Sequence, residues 1–253
     1  MFKMFNHQVA IISDIHGNKQ ALEAVLEDIK HRGIKYMVNL GDSLYGPLDP
    51  AGTADILIGL NIPTVKGNED RIIIESTDES ERSPSLRYVM ECLKPKHLEW
   101  LDSLPVSAEV YEDFFLCHGT PERDNEYLLR EIRETGVFPI KPEDLETMVS
   151  SRQQKVFLCG HDHVPSTVYL PDGRLIVNPG SVGLPAYSDD FPFPHAMETF
   201  TPHARYSIVH QKVNGTLVEN IAVPYDWQYA VRLAIKNGRP DWAEWLQTGR
   251  ADR

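Results

Sequence analysis

Cysteine is scarce in this chain of 253 residues: there are three, Cys92, Cys117 and Cys159, with no Cys-x-x-Cys spacing. An odd, dispersed set gives neither a disulfide framework nor a paired-thiol redox or zinc motif. Cys117 and Cys159 sit inside apolar runs and read as small buried hydrophobes. That usage fits a reducing compartment and predicts a cytoplasmic location. Positive charge is also short. The 25 Lys and Arg face 37 Asp and Glu, a net charge of −12. This excludes a general binder of long nucleic acid or of anionic membrane, both of which need a basic footprint. The first residues, Met1-Phe2-Lys3-Met4-Phe5-Asn6-His7-Gln8, have no long apolar stretch and no cleavage site, so neither a signal peptide nor a membrane span is expected. Internal repeats and low-complexity tracts are missing too.

What the chain does have is a recurring pattern at the ends of short apolar runs. Val156-Phe157-Leu158-Cys159 runs into Gly160-His161-Asp162-His163, and Ile11-Ile12-Ser13 into Asp14-Ile15-His16-Gly17. Tyr36-Met37-Val38-Asn39-Leu40 ends on Gly41-Asp42, Ile62-Pro63-Thr64-Val65-Lys66 on Gly67-Asn68, and Phe114-Phe115-Leu116-Cys117 on His118-Gly119. Open α/β sheets bind ligands outside the carboxyl ends of their strands, and glycine allows the sharp turn and close backbone approach needed there. One such strand end would mean little. Five in order supply Asp14, His16, Asp42, Asn68, His118, His161 and His163. Imidazole and carboxylate converging in one cleft point to a metal centre.

The length suits one domain over 1–253. Strands alternate with helices at Ala21–Ile29 and Thr53–Leu60, which predicts a mostly parallel sheet. Glu75–Ser85 reads as an acidic linker into helices over Leu86–Leu104. Val106–Val110 reads as a strand. The charged stretch 121–154 is expected to be mostly helical, either a cap beside the site or a surface helix pair. Thr167–Val177 and Arg205–Val223 carry the hairpin turns Pro171-Asp172-Gly173 and Asn214-Gly215. The stretch 184–204, with Pro185, Pro192, Pro194 and Pro202, is expected to be a long loop without regular structure. His195 and His203 within it read as solvent-exposed. Asn18 reads as a helix cap and Asp162 as a loop cap or a partner to a histidine. Trp227, Trp242 and Trp245 read as packing of the C-terminal region rather than as a stacking surface.

The ordered set Asp14-x-His16, Gly41-Asp42, Gly67-Asn68, His118-Gly119 and Gly160-His161-x-His163 resembles the calcineurin-like metallophosphoesterase superfamily. Asp14-Ile15-His16-Gly17-Asn18 and Asn178-Pro179-Gly180-Ser181-Val182-Gly183 look most like its small bacterial and archaeal phosphodiesterase branch. The resemblance implies a two-sheet α/β sandwich flanked by helices, in four layers α/β/β/α. It implies two divalent ions: Asp14, His16, Asp42 and His163 hold one, and Asn68, His118 and His161 hold the other, with Asp42 bridging. Asp42, Asn68 and His118 are its expected catalytic residues. Mixed nitrogen and oxygen donors suit Mn best, with Fe, Zn, Ni and Co as alternatives. In such a centre a hydroxide shared by the two ions attacks phosphorus in line. The expected activity is phosphodiester hydrolysis on a small substrate. The alternatives are a dinucleoside polyphosphate or phosphomonoester hydrolase and, from another class, a non-catalytic binding scaffold. The protein phosphatase branch is disfavoured, because its Asp-Arg pair is missing after Gly41-Asp42. Relatives carry His after Gly-Asn, where this chain carries Glu69. A carboxylate there repels phosphate, so Glu69 is expected to point away, and Arg71 either clamps a phosphate oxygen or pairs with Asp70.

Overall fold

The computed structural model of the chain describes residues 8–76, 78–212 and 215–251. In order, β1 (Gln8–Ile12) leads into α1 (Lys19–His31), β2 (Tyr36–Asn39), α2 (Pro50–Leu60) and α3 (Asn68–Glu75). Next come α4 (Pro84–Cys92), α5 (Pro95–Ser103), β3 (Ser107–Val110) and β4 (Phe114–Cys117). They are followed by β5 (Arg130–Arg133), β6 (Gly136–Pro139), α6 (Pro142–Met148), β7 (Val156–Leu158), β8 (Ser166–Tyr169) and β9 (Leu175–Asn178). The rest is β10 (Ala186–Asp189), β11 (His195–Glu198), β12 (Ala204–Lys212), β13 (Gly215–Val223), α7 (Trp227–Lys236) and α8 (Pro240–Thr248).

Two sheets stack on one another. One has the order β13-β12-β1-β2, the other β3-β4-β7-β9-β8. Side chains alternate across a strand, so each strand buries two faces. Val9, Ile11, Val38 and Val209 meet Phe114, Leu116, Val156, Leu158 and Val177 between the sheets. Ala10 and Ile12 turn outward onto Ala21, Leu22, Val25 and Ile29 of α1. Phe115, Phe157 and Ile176 turn outward onto Leu145 of α6 and Val149 just after it. The result is the expected sandwich with helices on both outer faces. Each fully buried Val, Leu, Ile or Phe contributes about 1.5–3 kcal/mol. The helix α1 starts where the sequence predicts, because the Asn18 side chain accepts a hydrogen bond from the Ala21 N–H.

Several expectations need correction. The sheets are mixed rather than mostly parallel: β1–β2, β4–β7 and β7–β9 are parallel, while β3, β8, β12 and β13 join antiparallel through hairpins or returns. Ile62–Lys66 makes only one parallel bridge, Thr64 to Asn39, since Pro63 has no N–H to extend the ladder. The linker Glu75–Ser85 contains a 3-10 turn at Glu79–Glu81. The stretch 121–154 is not a helical cap. It holds the β5–β6 hairpin and the short α6, and Gly136, with φ of 135°, sits at that turn. The stretch 184–204 is not structureless either. Its strands β10 and β11 pair from Ala186 with Glu198 to Asp189 with His195. Pro185, Pro192, Pro194 and Pro202 all fall outside the paired residues, so the ladder loses no donor. The strands β12 and β13 pair over their whole length, with Asn214 outside the described residues.

Candidate metal centre

The seven residues singled out in the sequence meet at one end of the sandwich, where β1, β2, β4 and β7 release the chain. Five of them, Asp14, His16, Asp42, His161 and His163, have φ between 48° and 72°. This left-handed region is uncommon for residues with a Cβ, though Asp and His tolerate it better than most. The turn it produces aims successive side chains into the same cleft. Close backbone contact completes it: a Cβ on Gly67 would lie 2.1 Å from Asp42 Oδ1, and one on Gly183 would lie 1.7 Å from the Ile15 carbonyl oxygen.

The imidazoles are oriented by backbone carbonyls. Nδ1 of His16 lies 3.0 Å from the Tyr45 oxygen, Nδ1 of His118 2.8 Å from Leu40, and Nδ1 of His163 2.8 Å from Leu184. A carbonyl only accepts, so each Nδ1 carries the proton and each neutral ring presents a lone pair at Nε2. Those lone pairs converge. Nε2 of His16 is 3.1 Å from Nε2 of His163. Nε2 of His118 is 3.1 Å from Asp42 Oδ2, and Nε2 of His163 is 3.3 Å from Asp14 Oδ1. The buried atoms Asn68 Oδ1 and His118 Nε2 have no hydrogen-bond partner. Acceptors facing acceptors in a dry site repel unless a cation or a proton lies among them. The donor set therefore fits metal ions. Among the described residues, Asp14, His16 and His163 form one trio with ligand atoms within 4.8 Å, and Asp42, His118 and His161 form another.

Without a cation, protons take its place. Burial opposes charging of His16, yet the Glu69 carboxylate, with Asp42 and Asp14, outweighs it and pushes the pKa up to about 9. His118 is pushed up to about 10 by Asp42 and Asp14 against the same burial. His161 goes the other way: burial and the neighbouring His118 hold it down to about 4. For the Asp42 carboxyl, burial favours the neutral acid, but His118 and His16 hold it well below the usual carboxylate range.

Other side chains hold this floor in place. Asp70, fully buried, accepts from Ser43 N–H at 2.9 Å and Gly67 N–H at 3.2 Å, tying together the loops of Asp42 and Asn68. Ser181 Oγ donates to the Asp14 carbonyl at 2.7 Å, and Asn178 Nδ2 donates to Gly160 O and Asp162 Oδ1, each at 2.8 Å. Asp162 also accepts from Val164 N–H at 2.9 Å, so it caps the loop rather than a histidine.

Five residues sit differently from expectation. Glu69 does not point away: it lines the cleft, with Oε2 3.1 Å from His16 Nδ1, and forms a third trio with His16 and Asp42. Arg71 neither faces the cleft nor pairs with Asp70. It makes a two-point bond to Asp124, at 2.6 and 3.0 Å. His195 is buried and accepts at Nε2 from the Tyr127 hydroxyl, 3.0 Å away. Trp242 and Trp245 do pack against α7, and they also line the cleft, which the sequence reading did not foresee. Their i, i+3 spacing on one helix face was the available signal. Tyr127 and Tyr187 were missed as well. Tyr127 stacks on the His161 ring at 4.7 Å, and the Tyr187 ring lies 4.6 Å from that of His163. Nothing near them in the sequence marks either one.

A model of the calcineurin-like phosphoesterase superfamily domain matches residues 8–195. The chain belongs to that superfamily. It is a metallophosphoesterase, a hydrolase of phosphoric esters. An uncharacterized protein of Methanocaldococcus jannaschii is 30% identical over 94% of this chain and 96% of its own length. A metallophosphoesterase of Sphaerobacter thermophilus has a crystal structure that is 26% identical, with a TM-score of 0.74 over 97% of this chain and 100% of that one. A hypothetical protein from Pyrococcus horikoshii shares the fold at 21% identity, with a TM-score of 0.71 over 97% of this chain and 99% of its own. Among the described residues no helix is long and apolar enough to cross a membrane.

Proposed function

We propose that this metallophosphoesterase hydrolyses small phosphodiesters with two divalent ions, Mn best. Asp14, His16, Asp42 and His163 hold one ion, and Asn68, His118 and His161 hold the other, with Asp42 shared. The observation that carries the reading is the convergence of the three lone pairs at His16, His118 and His163 Nε2 on two buried carboxylates. When bound, the ions supply an activated water and positive charge against the phosphoryl oxygens.

The chain's own residues argue for a diester. Of the cleft-lining residues, Asp42, Glu69 and Asp189 are acidic, and Arg239 is the one Lys or Arg among those described. Arg239 is tied to Asp241 through Nε and Nη2, and to Ser85 Oγ through Nη1. The one guanidinium among the described cleft-lining residues is already paired, and the Glu69 carboxylate on the same lining would repel a monoester dianion. A diester monoanion meets half that repulsion. Asn68 presents an unpartnered Oδ1 and Tyr187 braces the His161 and His163 segment, so the floor is preorganised for its ligands. The cleft volume, about 210 Å³, suits a small substrate. The acidic chain leaves no basic track for long nucleic acid, and a cytoplasmic setting accords with its three free cysteines.

The test is kcat/KM of metal-stripped protein for bis(4-nitrophenyl) phosphate and 4-nitrophenyl phosphate, with Mn, Ni, Zn or Mg restored. The diester should lead by about tenfold or more, ~1.4 kcal/mol in the barrier. A preference for the monoester, or turnover without metal, would overturn the proposal.

A further inference from the structure

Beyond the ligand floor, the cleft has a side that the phosphoesterase reading does not use. The helix α8 lies outside the residues matched by the family model, 8–195, and brings Trp242 and Trp245 to the cleft. Trp242 is fixed: it is 3% exposed, its ring meets that of His16 edge-on at 5.7 Å, and the Arg239 guanidinium lies 5.3 Å over it. Gly46 makes room for it, since a Cβ there would lie 2.8 Å from the Trp242 ring. Trp245 is half-buried, one turn further on, with its ring 6.3 Å from that of Trp242. Tyr45 lines the same cleft, and so do the polar Ser188 and Asp189 at the end of β10. The phosphate floor, flat aromatic surface and hydrogen-bonding edge thus share one cleft of about 210 Å³. That space takes a phosphate and one planar ring, not a duplex.

We infer that Trp245, backed by Trp242, is a stacking subsite that makes the enzyme select phosphoesters carrying a planar aromatic group, a nucleobase or an aryl ring. The inference rests on the proposed function for the place of the phosphate. The physical reason is the π-face. An aliphatic ester leaves the exposed indole facing water, whereas a ring covers it and adds stacking that is tolerant of base identity. Ser188 and Asp189 offer a hydroxyl and a carboxylate to the amino or hydroxyl edge of such a group. Trp245 acts as a specificity residue on binding and leaves the ligand floor unchanged.

The test is equilibrium binding to the Mn-loaded full chain, read by calorimetry. Adenosine 5′-monophosphate is compared with ribose 5-phosphate, which lacks only the base. Phenyl phosphate is compared with ethyl phosphate to separate a nucleotide from a simple aryl ester. In the wild type the aromatic member of at least one pair should bind about tenfold or more tighter. Trp245→Leu keeps apolar bulk without a π-face and should abolish that ratio, while Trp245→Phe should keep most of it. Equal affinities in both wild-type pairs, no binding of either aromatic ligand, or an unchanged ratio in Trp245→Leu would overturn the inference. Failure of the phosphodiesterase reading shows elsewhere, as absent metal-dependent turnover, because the binding ratios need no reaction.

Discussion

The floor and the wall of the cleft are built on different physical terms. The floor is dry: His16, Asp42, His118 and His163 are each no more than 3% exposed. Its side chains leave strand ends through left-handed turns and are locked by carbonyls at 2.8–3.0 Å. The wall is wetter and helical. It consists of the buried Trp242 and half-buried Trp245 on α8 and the exposed end of β10, held by packing rather than by hydrogen bonds to the ring. A buried ligand set responds steeply to any change, because an unpaired lone pair or charge has nowhere to go. A half-exposed stacking surface responds in proportion to the area lost. The floor should therefore govern whether reaction occurs, and the wall which ester is taken.

The largest effect expected belongs to Asp42→Asn. It removes the carboxylate shared by both proposed ions and should lower kcat by about 10³-fold or more, the scale of losing a main electrostatic element. Calorimetry should show both metal sites weakened together. Two unaltered sites in that variant would break the view of the floor as one unit.

Glu69 tests where the floor ends. Its carboxylate touches His16, and its backbone N–H donates to Asp42 Oδ1 at 2.9 Å. Partners of this kind tune metal affinity by about 10–100-fold, so Glu69→Gln should weaken metal binding by that order. Glu69→His should shift the ratio of diester to monoester turnover toward the monoester, as a positioned general acid contributes ~10²–10⁴-fold. An unchanged ratio would move the control of specificity to the wall alone.

The third test uses pH on metal-stripped protein. His16 and His118 have folded-state pKa values of about 9 and about 10, above the ordinary 6.5. Their protons stabilise the metal-free fold fully below pH 6.5, and that contribution is lost as pH rises through 9 and then 10. Thermal melts of stripped protein should fall over this window, while apparent Mn affinity rises by up to about tenfold per pH unit for each proton displaced. A flat melt from pH 6.5 to 10 would contradict the assigned shifts.

The smallest effect is expected outside the cleft. Arg71→Ala breaks a two-point ion pair with Asp124 that is partly solvated, with the arginine side chain 33% exposed. It should cost about 1 kcal/mol or less of stability and leave kcat/KM for either aryl ester within twofold. A large loss of activity would restore Arg71 as a phosphate contact.

The sequence discloses the floor because each ligand lies within three residues of a glycine at the end of an apolar run, a pattern that sheet geometry explains over a few residues. It discloses the wall poorly, because Arg239, Trp242, Trp245 and Tyr187 reach the cleft only through packing of distant elements. Proline density concealed the β10–β11 hairpin, since the count of prolines says nothing about their register against the ladder. Charge concealed β5 and β6, where Arg130–Arg133 and Gly136–Pro139 pair. Electrostatics taken one pair at a time misplaces Glu69: repulsion from a phosphate is legible in the sequence, whereas the attraction of His16 exists only once the fold brings the two together.

The left-handed turns at Asp14, His16, Asp42, His161 and His163 also bear on how improved variants should be sought. Each such residue costs the fold about 1 kcal/mol relative to a relaxed backbone, and glycine relieves that strain wherever it is placed. A library sorted for heat tolerance alone would then drift toward glycine at these five positions and accumulate well-folded, inert protein. Selection should instead score turnover after heating, which keeps the strained ligands and directs stabilising changes to the outer helices.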